Sequence, residues 1–101
     1  MVRVEDYYLS DDIDIAAEKD FVKFLNEQQK DKEVGGINLY INSLGGEAHS
    51  GIGIADAILT SKIPVDTFCL GTAQSMAFLI FVSGSFRKCY PHSTFMYHPL
   101  S

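Results

Sequence analysis

Apolar residues first recur at helical spacing just after Asp12 and Asp14. Ala17, Phe21, Phe24, Leu25 and Gln28 fall near one face, and charged residues fill the other. Either aspartate can cap this helix, which runs to about Lys30. The pair Gly35 and Gly36 breaks it. The stretch "INLYI" (37–41) alternates as a strand does. "NSLGG" (42–46) reads as a loop with two residues free to take positive φ. A second helix spans roughly Ala48 to Ser61, with Ile52, Ala55, Ile58 and Leu59 on one face. Gly51 and Gly53 weaken that helix, or mark close packing against a neighbouring backbone. Pro64 ends the connection, and Val65 to Leu70 reads as a second strand. After "GTAQ" (71–74) a third helix, about Ser75 to Ser83, is apolar nearly all round, the mark of burial on most sides. Gly84 stops it. Phe86 to Tyr90 and Thr94 to His98 are short strands around a turn at 91–93, and Met96 is expected in the core.

The expected order is helix, strand, helix, strand, helix, strand, strand. Strands alternating with helical crossovers imply an α/β domain with a mainly parallel sheet. In such sheets ligands bind at loops beyond the carboxyl ends of the strands. Both the Gly45–Gly46 loop and Ser75 lie at such ends.

At 101 residues the chain suffices for one small domain, and its composition is globular. The net charge of −5 is unevenly spread. Residues 1–33 carry ten acids against five bases, whereas residues 34–101 carry three of each. No basic patch exists, so nucleic-acid binding has no electrostatic basis. The apolar run from Met76 to Val82 is too short to span a bilayer. A polar, acidic start shows no leader peptide, so a cytoplasmic location is the expectation. Cys69 and Cys89 lie in separate apolar runs without C-x-x-C spacing, and are expected as two buried free thiols. His49, His92 and His98 lack metal-ligand spacing. No phosphate-binding G-x-x-x-x-G-K-[ST] loop occurs, so no nucleotide site is expected on this chain.

Acyl transfer needs a nucleophile, a base and donors for the oxyanion. Ser75 at a helix start could be the nucleophile, with the Met76 N–H beside the developing charge. A glycine loop could lend a second N–H, and His98 could be the base. Serine is also a preferred helix cap, and on spacing alone Ser75 reads first as that. His49 and His92 read as loop residues, and Glu47 as a solvated acid. Residue pattern alone stops at a small α/β domain with hydrolase chemistry open.

Three ordered stretches go further: "YINSLGGEAHSGIGIADAI" (40–58), "CLGTAQSMAFLIFVSG" (69–84) and "CYPHSTFMYHPL" (89–100). Together they resemble the proteolytic subunit family of the ATP-dependent Clp protease. The family patterns are I-N-S-P-G-G, then G-x-A-x-S-M, then a strand ending M-x-H before proline. The resemblance covers about residues 7 to 101. It implies a Clp-protease/crotonase-like fold of repeated β-β-α units, with Ser75 as nucleophile and His98 as general base. Gly46 and Met76 would donate N–H groups to the oxyanion. It implies an endopeptidase acting on unfolded polypeptides, assembled in heptameric rings and fed by a hexameric AAA+ ATPase that holds the nucleotide.

Departures from the family pattern shape these expectations. Leu44 stands where the glycine loop usually has proline. Ala77 follows Met76 where the family has glycine, and Pro99 follows His98 directly. Residues 1–101 then correspond to a single head domain, without the family's third catalytic acid or its ring-joining handle. Asp56 and Asp66 do not match that acid's position. A second function follows as an alternative: a catalytically incomplete binding protein that joins or modulates a full-length Clp-type peptidase or its ATPase.

Overall fold

The computed structural model describes residues 2–97. Strands and helices alternate: β1 (Arg3–Leu9), α1 (Ile15–Lys30), β2 (Val34–Ser43), α2 (Ala48–Leu59), β3 (Val65–Gln74), α3 (Met76–Val82), β4 (Arg87–Cys89) and β5 (Thr94–Met96). Among the described residues these strands form one five-stranded sheet, ordered β1-β2-β3-β4, with β5 also on β3. Every pairing in it is parallel. Parallel neighbours need a long crossover, and α1, α2 and α3 supply it.

The helices share one face of the sheet. Leu39 and Ile41 of β2 and Cys69 and Ala73 of β3 join Phe21, Leu25, Ile54, Ile58, Ile80 and Phe81 from the helices in a single apolar cluster. Each large aliphatic side chain buried there contributes about 1.5–3 kcal/mol. Alternate residues point the other way. On that opposite face Tyr8 stacks on Tyr40 and Tyr40 on Phe68, with ring centroids 5.0 Å apart in both pairs.

β3 outruns β4 and β5 and changes partner midway along that flank. Its first half pairs with β4 and its second half with β5. Between the halves the register slips: Ile41 faces Cys69, but Ser43 already faces Ala73. Gly71 takes up the excess with φ 78°, and the neighbouring Thr72 N–H donates to Asn42 Oδ1 at 3.2 Å. This bulge turns "GTAQ", expected as a loop, into continuing strand.

Four expectations need correction. β1 went unforeseen, because Arg3, Glu5 and Asp6 break its apolar pattern; an edge strand exposes much of itself and tolerates them. The buried side of α2 is Ser50, Gly51, Ile54, Ala55 and Ile58, while Ile52 and Leu59 are exposed. Gly51 decides this, since a Cβ there would stand 2.7 Å from Met76 Cβ. The helix therefore turns its smallest residue toward α3. Met96 is exposed rather than core, because β5 lies at the sheet edge. Cys89 is exposed for the same reason, and only Cys69 is buried.

Candidate active site

Ser75 sits where β3 ends and α3 begins. Its φ of 55° and ψ of −121° make it the one non-glycine residue with positive φ among those described. Such a conformation costs about 1–3 kcal/mol and persists only where the surroundings impose it. Here they do. The Ser75 N–H donates to the Met96 carbonyl at 2.7 Å, and the Ser75 carbonyl accepts from Phe78 N–H at 3.0 Å. One bond ties the residue to β5, the other to α3. Although it occupies the N-cap position, its side chain makes no capping hydrogen bond. A strained strand-to-helix turn whose serine hydroxyl is left out of the cap has the form of a nucleophile elbow.

The glycine loop presses on this turn. Gly45 has φ 104°, and a Cβ there would lie 2.7 Å from the Gln74 carbonyl oxygen, 2.9 Å from Ser75 Cβ and 3.4 Å from Met76 N. The loop is pinned from behind. Ile13 N–H donates to the Gly45 carbonyl at 3.0 Å, and Glu47 N–H donates to the Ile13 carbonyl at 2.7 Å. The buried Ser43 Oγ donates to the Asp11 carbonyl at 2.8 Å and accepts from Gly45 N–H at 3.1 Å. Among the described residues, neither Gly46 N–H nor Met76 N–H has a hydrogen-bond partner. Two backbone donors without partners among the described residues, and one hydroxyl left out of the cap, thus belong to adjoining turns. Together they can serve a carbonyl carbon under attack and its developing oxyanion.

Ser43 and Asn42 were missed as supports of this site. The signal lay in "NS" before Gly-Gly, since both side chains can bond backbone across a turn. Glu47, expected to be merely solvated, caps α2: its carboxylate accepts from His49 N–H at 3.0 Å and Ser50 N–H at 2.6 Å. The nearby Ser50 hydroxyl and these amides hold its pKa below the ordinary carboxylate value. Ser50 Oγ itself is buried and outside hydrogen-bond geometry. His49 lies in the first turn of α2 rather than in a loop, and His92 in the turn before β5.

His98 lies outside the described residues. The backbone just before it is placed: Met96 holds the Ser75 N–H, and the Tyr97 ring meets Phe78 at 5.9 Å between centroids. Ser75, Met76 and the Gly45–Gly46 loop are therefore brought together, and the strand approaching His98 reaches the same turn. A cleft of about 780 Å³ opens beside the loop, walled by Leu44, Thr72 and the carboxylates of Asp11, Asp12, Asp14 and Asp20. Part of the N-terminal acidic surplus collects there. Among the described residues no three histidine, cysteine or carboxylate side chains gather for a metal, and no helix is long and apolar enough to cross a membrane.

A profile of the family described as Clp protease matches residues 1–101. Over 77 residues the chain is 42% identical to the ATP-dependent Clp protease proteolytic subunit of Chlorokybus atmophyticus, which covers 74% of this chain and 33% of that protein. Identity to the same subunit of Chlorella vulgaris is also 42% over 77 residues, covering 74% of this chain and 37% of the relative. The chain spans about a third of the length of these curated relatives. Among solved structures, a ClpP1 mutant from Listeria monocytogenes aligns with a TM-score of 0.85 at 24% identity, over 92% of this chain and 55% of that one. That likeness establishes the fold: a partial head domain with a parallel sheet and helices.

Proposed function

This chain belongs to the Clp protease family, and from that premise we propose that it is a serine-type endopeptidase subunit hydrolysing unfolded polypeptides through an acyl-enzyme. Ser75 is the nucleophile and His98 the general base. His98 takes the Ser75 Oγ proton as Oγ attacks the scissile carbonyl carbon. The N–H groups of Gly46 and Met76 receive the charge that develops on the carbonyl oxygen; one such donor is worth about 3 kcal/mol of barrier. His98 then protonates the departing amine, and water attacking by the reverse route frees the acyl group. No cofactor takes part on this chain, and ATP is used by a partner ATPase of the AAA+ class. The subunit works inside a homo-oligomeric ring, heptameric by resemblance, or inside a hetero-assembly with a longer Clp-type peptidase.

The single observation that carries this reading is the Ser75 hydroxyl, held at a strained turn and spared from capping. Labelling the assembled protein with a fluorophosphonate probe tests it. Modification of Ser75, lost in Ser75→Ala and in His98→Ala, supports the catalytic pair. Absence of labelling in an assembly that hydrolyses peptides would overturn it.

One feature favours the second reading, a non-catalytic subunit that modulates a longer peptidase or its ATPase. The sheet face opposite the helices carries the exposed aromatics Tyr8, Phe86 and Tyr90 around the Tyr40–Phe68 stack. Such a surface suits a protein partner. No labelling, together with stable co-purification of a longer peptidase subunit, supports that reading instead.

A further inference from the structure

β3 and β4 bring both cysteines of the chain into register, Cys69 opposite Cys89. Adjacent strands run about 4.8 Å apart, inside the Cα separation of about 4.4–6.8 Å that a disulfide spans. Residues in register on parallel strands also face the same side. Two residues before Cys89, Arg87 reaches the Val82 carbonyl of α3 at 3.2 Å, which puts that side of β4 on the helix layer. Cys69 belongs to the core beneath the same layer. Both thiols are free; Cys69 is buried and Cys89 exposed. Burial first, and the neighbouring Cys89 after it, push the Cys69 thiol above its ordinary pKa, against a lowering by Ser93. The exposed cysteine thus lies on the edge strand and the buried one on the strand behind it.

We propose that Cys69 and Cys89 form a thiol pair that exchanges with low-molecular-weight disulfides of the glutathione class and closes an intrachain bridge between β3 and β4. The exposed Cys89 thiolate attacks one sulfur of the small disulfide, and one glutathione thiol leaves. Cys69, as thiolate, then attacks the Cys89 sulfur of the mixed disulfide, and the second glutathione thiol leaves. Two protein thiols are oxidised, one small disulfide is reduced to two thiols, and the two cysteine protons end on the released glutathione.

The position of the bridge gives it a structural reach. β3 continues from Cys69 to Ser75. β4 continues through the turn at 90–93 to β5, whose Met96 carbonyl holds the Ser75 N–H. The turn already leans on this point, since Ser93 Oγ donates to the Cys69 carbonyl at 2.8 Å. A covalent bond here fastens the two segments that meet again at the serine.

Incubating the full folded chain with glutathione disulfide, then measuring intact mass and free thiols, tests the proposal. The expected result is loss of both thiols and of two hydrogens in mass, with peptide mapping joining Cys69 to Cys89. Cys69→Ala stops at a stable glutathione adduct on Cys89, and Cys89→Ser leaves Cys69 unmodified in the folded protein. A lasting adduct on Cys89 of the unmutated chain overturns it. So does a bridge between two copies, or one formed only in denaturant.

Discussion

The starts of α1 and α3 answer the same need in opposite ways. At α1, Asp14 has an extended backbone and its carboxylate accepts the Ala17 N–H at 2.8 Å. At α3, Ser75 holds a strained backbone and its hydroxyl caps nothing. Both residue types are preferred caps, so residue identity does not separate them. What differs is the approach. The chain reaches α1 from a connection fixed at Ile13 by its bridge to the glycine loop, and the extended backbone of Asp14 beyond it aims the carboxylate at the first turn. It reaches α3 from inside the sheet, with β5 on one side and the glycine loop on the other. The first helix start serves stability; the second gives up a cap and keeps its hydroxyl out of the helix.

The strongest test of this contrast is Ser75→Ala. If the hydroxyl is the nucleophile, peptide hydrolysis by the assembled protein falls by about six orders of magnitude, as when a protease loses its serine. The urea midpoint stays where it was, because no capping hydrogen bond is lost. A midpoint shift as large as that of a lost cap would erase the distinction. Next comes Gly45→Val. Its Cβ meets the Gln74 carbonyl oxygen at φ 104°, so denaturant unfolding should register a loss of about 1–3 kcal/mol. Fluorophosphonate labelling of Ser75 should slow as well, since the loop backs directly on that turn. Asp14→Ala is the mirror experiment: about 1 kcal/mol less stable in urea, with labelling unchanged.

The smallest effect belongs to the third helix start, where the exposed Glu47 caps α2. Its pKa is lowered in the folded state. It therefore adds stability above the ordinary carboxylate range, and this is lost as pH falls through its folded value. Urea titrations of the unmutated chain and Glu47→Gln should differ modestly at neutral pH and converge in acid. A gap that widened on acidification would contradict the assigned cap.

Local signals in the sequence carried much of this. Asp14, the Phe21 and Leu25 stripe, the end of α1 at Lys30 and the stop at Gly84 depend on near neighbours, and they stand where spacing placed them; Gly35 and Gly36, expected as a break, instead lie inside β2. The tight approach at Gly51 was also visible as an anomaly, though not its partner Met76. Long-range features were not legible. β1 is recognisable only once β2 pairs with it, residue against residue from Val4 to Leu9. The exposure of Met96 and Cys89 follows from an edge position that no periodicity encodes. The same holds at the site. Ser75 and the glycines could be named from motifs, but the missing cap and the two idle amides appear only when the loop, β3 and β5 are seen together.

The split outer strand has one more consequence. β4 and β5 follow one another along the same flank of β3, each only three residues long and separated by a turn. A foreign extended chain recruits itself by matching a continuous row of backbone donors and acceptors, and short edge strands withhold such a row. This margin is thus a poor seed for amyloid-like growth, because it offers an incoming strand no continuous border to copy.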